Sequence, residues 1–313
     1  MRRCDWPVSY CENSQMKYVR LITLLLAIFA GSVSIWAQGE DETIKVESSI
    51  VVLNVAVTDA SGKAVRGLDR SKFTVLEDGV ALPIKTFDTE DLPFAAAILL
   101  DASGSMESRI SMARSAAIEF LNGLRSGDNA AVYKFDSKVE VLQDFSNSRD
   151  LGDRIFDVKA DGMTALNDAI FRAAGDLSNR PEKRRAIIVL SDGADTFSKK
   201  SSDKALRAAL AANAMIYTVD MSEKDTAGDR TQDRGVLKNF AEKSGGRFIE
   251  TPGGVALRDA FTRIVNELGT QYTLSYQPAD AKRDGKWHSI EVRISRPNLT
   301  IRTRKGYNAP KAK

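Results

Sequence analysis

Apolar and polar positions alternate through residues 44–87. Val51, Leu53, Val55 and Val57 fall on one face, with Val52, Asn54, Ala56 and Thr58 on the other. A period of two predicts a strand. The turn Asp59-Ala60-Ser61-Gly62 follows, then a second strand over 73–77 that runs into Asp78-Gly79. An Asp-Gly pair after a β-rich run signals a hairpin. Residues 84–87 read as a third short strand. No helical period occurs here, so 43–91 is expected to be an N-terminal β segment.

The pattern changes over residues 92–268. The run 94–100 is continuously apolar, as expected of a strand buried on both faces. Ile110, Ala113, Ala117, Phe120, Leu121 and Leu124 then follow helical spacing. Strands are expected at 130–135 and 139–145, joined closely enough at 136–138 to form a hairpin. A helix over 166–177, a buried strand over 186–190, a helix over 204–214 and a strand over 215–219 come next. A helix over 236–243 ends at Gly245-Gly246, where a C-cap favours positive φ. A short strand at 248–249 and a helix over 255–268 complete the segment. Repeated strand–helix units imply a mainly parallel sheet covered on both faces.

Alternation returns over 271–307, in strands at 272–276, 288–295 and 299–304. Two or three isolated strands are marginal alone. The strands of 270–308 are therefore expected to pack with those of 43–91. The fold class is α/β: a doubly wound, mainly parallel sheet with one antiparallel edge strand, plus a small flanking all-β domain.

Residues 21–30 (LITLLLAIFA) follow Lys17 and Arg20 and precede small and polar residues. That order matches a secretory signal. The apolar run of about 16 residues is short for a spanning helix, which needs roughly 20. Residues 1–37 are expected to be a signal peptide, cleaved after Ala37 or Ser34, with Met16 as a possible start. The alternative is an uncleaved anchor, the one case in which membrane contact is expected. The protein is expected to be exported, periplasmic or secreted. Cys4 and Cys11 both lie upstream of the apolar run, so the exported chain would lack cysteine.

The 313 residues carry 45 Lys+Arg and 42 Asp+Glu, a net charge of +3, with two Cys and one His. That small excess gives no reason to expect nucleic-acid binding. Soft-metal and His-clustered centres are excluded by residue count. The remaining chemistry rests on oxygen: carboxylates, hydroxyls and backbone.

The strand over 94–100 ends in Asp101-Ala102-Ser103-Gly104-Ser105. Ligands of open α/β sheets bind beyond the carboxyl ends of strands, where strand order reverses. A carboxylate and two hydroxyls at i, i+2 and i+4 on such a loop can converge on a hard cation. Ser191-Asp192-Gly193 ends a second buried strand, and Asp161-Gly162-Met163-Thr164 opens a helix. Asp101, Ser103, Ser105, Thr164 and Asp192 are thus placed on three loops at one sheet rim.

This set resembles the metal-ion-dependent adhesion site of the von Willebrand factor type A family, over roughly 92–268. The resemblance implies Mg2+, or Mn2+ or Ca2+, bound directly by Ser103 and Ser105. Thr164, Asp101 and Asp192 bind directly or through water. Met163 departs from the Gly that many members carry there. The flanking segments (residues 55–79 and the strands closing in Arg304-Lys305-Gly306-Tyr307) are similar to bacterial exported proteins of this kind, notably those of Acidobacteria. Two carboxylates neutralise a divalent ion while hydroxyls leave it electrophilic. The expected function is therefore recognition of a protein partner whose Asp or Glu completes the coordination, with no small-molecule substrate.

Competing readings are plain. Asp101, Ser103 and Ser105 could form a capping turn, Thr164 a helix N-cap and Asp192 a turn residue. Asp161 and Asp195 are expected to shape loops, and Asp136 the hairpin turn. Glu107, Arg109, Lys199-Lys200 and Arg184-Arg185 read as solvated. His288 is expected at the surface or half-buried, and Trp287, Tyr272 and Tyr276 in β packing. An enzyme is not expected: no GxSxG elbow or P-loop occurs, and the single His lies in a β segment. A structural envelope scaffold with a vestigial metal site, or a Mg-dependent hydrolase, are the alternatives.

Overall fold

The computed structural model describes residues 50–89, 92–193, 195–222, 231–250, 254–278 and 284–311. The signal-like segment 1–37 lies outside them. Among the described residues no helix is long and apolar enough to cross a membrane.

Strand β1 (Val51–Thr58) puts Val51, Leu53, Val55 and Val57 into one apolar core, following the alternation of its sequence. Strands β2 (Phe73–Glu77) and β3 (Val80–Leu82) form a hairpin. Its turn residues Asp78 and Gly79 have φ of 50° and 82°, the paired positive values of a turn whose twist suits adjoining strands. Strand β4 (Ile84–Asp88) follows.

In β5 (Phe94–Asp101) every residue is buried. Phe94, Ala96, Ile98 and Leu100 pack on one side of the sheet, while Ala95, Ala97 and Leu99 pack on the other. The first side is covered by α1 (Ile110–Asn122), which lays Ala113, Ala117, Phe120 and Leu121 against it. Strands β6 (Asn129–Phe135) and β7 (Val139–Ser146) form the antiparallel edge hairpin. Helix α2 (Leu166–Ser178) crosses the opposite face, and β8 (Arg184–Ser191) lies parallel to β5. Helix α3 (Ser202–Ala211), β9 (Ala214–Asp220), α4 (Thr231–Ser244), β10 (Phe248–Glu250) and α5 (Gly254–Gly269) complete the domain. The six-stranded order is β10-β9-β8-β5-β6-β7, parallel except for β7. Helix α4 begins at Thr231, five residues before the expected start, because its first turn is polar and contains Gly235.

The chain then returns. Strand β11 (Tyr272–Tyr276) inserts between β1 and β4, antiparallel to both. Strand β12 (Trp287–Ile294) pairs with β2, β13 (Thr300–Arg302) with β1, and β14 (Gly306–Asn308) with β12. The two four-stranded sheets, β13-β1-β11-β4 and β14-β12-β2-β3, enclose one apolar core. Tyr272 and Tyr276 are buried there, but Trp287 is 43% exposed, because it lies with Ser289, Glu291 and Arg293 on the solvent face of β12.

Arg184 corrects the expectation of a solvated Arg184-Arg185 pair: it is fully buried. Its guanidinium donates to the carbonyls of Thr89 (2.6 Å), Gly269 (3.2 Å), Leu92 (3.3 Å) and Gln271, and to Thr273 Oγ1 (3.2 Å). Those carbonyls lie where the chain passes between the β-sandwich and the α/β domain. A buried cation persists only when its donors are satisfied, and here backbone remote in sequence satisfies them. Arg185 is part-buried and donates to the carbonyls of Arg180, Glu182 and Ala212.

Candidate functional site

Strand order reverses between β5 and β8. The chain leaves β5 toward β6 on one side and later returns to β8 on the other, which opens a crevice at their carboxyl ends. Asp101 ends β5, and Ser191 ends β8 just before Asp192. The loop of Ser103 and Ser105 is tied to the 161–164 loop by Gly104 N–H to Gly162 O (3.1 Å) and Asp161 N–H to Ala102 O (2.8 Å). All three predicted loops therefore meet at one rim.

Asp101 is buried. Its Oδ1 accepts the Ser103 N–H at 2.9 Å, and its Oδ2 accepts the Ser191 hydroxyl at 2.5 Å. Burial pushes its carboxyl up to about 6; the Ser103 and Ser191 hydrogen bonds oppose that, and the charge of Asp192 adds to it. Ser103 is buried and Ser105 exposed, with their hydroxyl oxygens 3.1 Å apart. Asp192 is buried, and its Oδ1 has no hydrogen-bond partner.

The capping alternatives do not match the geometry. Helix α1 has no side-chain cap, and no cap bond comes from Ser103 to the short 3-10 turn Gly104–Met106. Helix α2 is not capped by Thr164. Its early amides are taken by Asp195 Oδ2 (Asn167 N–H, 2.8 Å) and Ser198 Oγ (Asp168 N–H, 3.0 Å). Thr164 is buried, with its own N–H held by Thr196 Oγ1 at 3.0 Å and its carbonyl accepting from Thr196 and Phe197 N–H.

A divalent cation fits this donor set. Two buried carboxylates, one with an orphaned oxygen, sit in a low-dielectric rim beside paired hydroxyls, and hard oxygen donors suit Mg2+. Asp101, Ser103, Ser105, Thr164 and Asp192 are the residues that would hold it. Met163 (54% exposed) and Phe197 (46%) flank Thr164 and present apolar surface beside the rim.

Sequence reasoning missed the roles of Ser191, which orients Asp101, and Thr196, which pins Thr164. Ser191 adjoins Asp192 in the same strand end and was the legible signal; Thr196 had none. Asp136 Oδ1 accepts the Lys138 N–H at 2.8 Å in the hairpin turn, and Asp195 shapes its loop, as expected of both.

His288 corrects another expectation. It is 4% exposed, with Nδ1 2.7 Å from Asp78 Oδ2 and Nε2 3.3 Å from Asp284 Oδ1. The Asp78 hydrogen bond, then that of Asp284, raise its pKa, against burial. Hydrogen bonds from His288 and Ser289 lower the Asp78 carboxyl to about 2. Glu77, Asp78 and His288 bring potential ligand atoms together. Glu77 Oε2, however, already accepts from Tyr276 (2.6 Å) and Tyr307 (3.2 Å), so hydrogen bonds account for the group.

A search of curated proteins finds none that matches the chain. Among solved structures, the chain is similar to BatB, a conserved hypothetical protein from Bacteroides thetaiotaomicron, at 16% identity and TM-score 0.47, covering 56% of this chain and 98% of that one. A von Willebrand factor type A protein from Catenulispora acidiphila gives 12% identity and TM-score 0.48, covering 85% and 76%. A variant of the PilB minor pilin from Streptococcus sanguinis gives 14% identity and TM-score 0.46, covering 57% of this chain and 62% of the pilin, so the match spans less than two thirds of that protein. Residues 96–194, which run from β5 past Asp192 and include all five rim residues, match the family model of the von Willebrand factor type A domain.

Proposed function

We propose that this protein is an exported binding module in which Asp101, Ser103, Ser105, Thr164 and Asp192 hold a divalent cation and recognise a partner protein. The observation that carries the reading is the pair of buried carboxylates at the β5 and β8 ends, one of them with an orphaned oxygen. When bound, the cation supplies an electrophilic site for an Asp or Glu of the partner. Asp101 and Asp192 supply the charge that neutralises it. Ser191 fixes the Asp101 carboxylate through its hydroxyl, and Thr196 fixes the loop that carries Thr164. Exposed Met163 and Phe197 provide apolar contact area around the polar centre, the arrangement of a protein interface with an anchoring site at its middle. Mg2+ is the proposed ion, with Mn2+ or Ca2+ as substitutes. The apolar run 21–30 supports export.

Calorimetric titration with Mn2+ tests the site, and affinity capture from an envelope extract in Mg2+ and then in EDTA tests the partner. Asp101→Ala is expected to abolish metal binding and every EDTA-sensitive partner. Unchanged affinity for both sinks the reading.

A further inference from the structure

The turn after β1 faces α5 across a cavity of about 510 Å³. Its lining includes Lys63 and Arg66 from the turn, Arg247 before β10, and Arg263 and Glu267 from α5. Four cationic side chains thus face a single carboxylate. That carboxylate is already engaged: Glu267 Oε2 takes Arg247 Nη2 at 3.2 Å and Arg302 Nη2, and Oε1 accepts the Tyr217 hydroxyl at 2.6 Å. Lys63 and Arg263 are exposed, and Lys63 also interacts with the carboxylate of Asp59 in its own turn.

The walls are built rather than incidental. Asp59 Oδ1 accepts the N–H groups of Ser61 (2.9 Å) and Lys63 (3.0 Å) and the Ser61 hydroxyl (2.6 Å), which fixes the turn that carries Lys63. An antiparallel bridge between Thr58 and Ala64 closes the same turn. Arg247 is held over the cavity by Glu267, which is buried in α5. A concave site lined by one sign of charge concentrates ligands of the other, and guanidinium groups pair bidentately with planar or tetrahedral oxyanions. The volume falls within the range of small-molecule pockets.

We infer that this cavity binds a small polyanion bearing carboxylate or phosphate groups, held by Lys63, Arg66, Arg247 and Arg263. The sequence by itself gave no reason to expect such a ligand, because its cations come from three separate segments. The site shares no residue with the proposed metal centre.

The test is calorimetric titration of the full chain, freed of metal with EDTA and dialysed, using citrate and inorganic pyrophosphate as probes. Saturable binding of either probe is expected; citrate alone assigns carboxylate chemistry and pyrophosphate alone assigns phosphate. The double variant Lys63→Glu/Arg263→Glu, with an unchanged circular dichroism spectrum, is expected to bind about tenfold or more weakly. Lys204→Glu, a charge reversal on exposed α3, is expected to bind as the wild type does. No saturable binding of either probe overturns the inference, as does equal weakening by Lys204→Glu. Asp101→Ala is expected to leave probe binding intact, so failure of this inference and failure of the metal reading are distinguishable.

Discussion

The hydroxyl of Ser191 donates to Oδ2 of Asp101 at 2.5 Å, joining the carboxyl ends of β8 and β5. The same Oγ accepts the Gly193 N–H at 3.0 Å, so one side chain sets both the Asp101 carboxylate and the loop of Asp192. Groups that orient a metal ligand typically change affinity 10–100-fold when removed. On the proposed reading, Ser191→Ala lowers Mn2+ affinity by about that factor while the fold persists. Electron paramagnetic titration of Mn2+ measures it, and an unaltered dissociation constant counts against the role of Ser191.

Cation binding is also expected to stabilise the fold. A ligand present at about 100 times its dissociation constant contributes roughly 2.7 kcal/mol. Mg2+ at that ratio raises the melting temperature of the wild type and leaves Asp192→Ala unmoved. Equal shifts in both proteins, read by thermal unfolding, exclude Asp192 as a ligand.

Gly245 ends α4 at φ +85°, and an added Cβ there comes within 2.3 Å of the Thr303 carbonyl carbon. Positive φ alone costs a non-glycine residue of the order of 1–3 kcal/mol, and the backbone contact adds to it. Gly245→Ala is expected to destabilise the protein by at least about 2 kcal/mol. A urea midpoint equal to that of the wild type refutes this.

Arg184→Met keeps most of the buried volume but removes the guanidinium that donates to the carbonyls of residues 89, 269 and 271, while that of Leu92 keeps the Arg125 donor at 3.1 Å. Unsatisfied buried acceptors cost about 1–3 kcal/mol each before relaxation. A net loss of about 3 kcal/mol or more is expected in chemical denaturation. A loss below about 1 kcal/mol means that the carbonyls find other partners.

His288 and Asp78 give stability a defined pH window. The folded His288 has a raised pKa, so its contribution is complete below about 6.5 and is lost as pH rises through the higher folded value. Asp78 is lowered to about 2, so its contribution is complete above the ordinary carboxyl value of 3.8 and is lost as pH falls toward 2. The difference in unfolding free energy between wild type and His288→Ala is therefore greatest between about pH 4 and 6.5 and shrinks above it. A difference that grows from pH 6 to 9 contradicts the assignment.

Much of the architecture was legible in local pattern. The alternation of Val51, Leu53, Val55 and Val57 marks a strand with one apolar face, and the unbroken run of β5 marks one with two. Asp101, Ser103, Ser105 and Asp192 could be set at one rim because a strand's carboxyl end is visible in its own residues, and the strand–helix alternation implies a shared sheet. Periodicity reports which faces are apolar, however, and not which remote segment covers them.

Tertiary structure alone decided the rest. It put β11 between β1 and β4, pairing Leu53 with Leu274 across more than two hundred residues. It buried Arg184 among carbonyls from both ends of the α/β domain and set His288 between Asp78 and Asp284. It also assembled the cationic cavity from residues 63, 66, 247 and 263. A charged side chain written in sequence looks solvated because charge favours water. Only the fold brings the distant carbonyls, carboxylates or cations that change its surroundings.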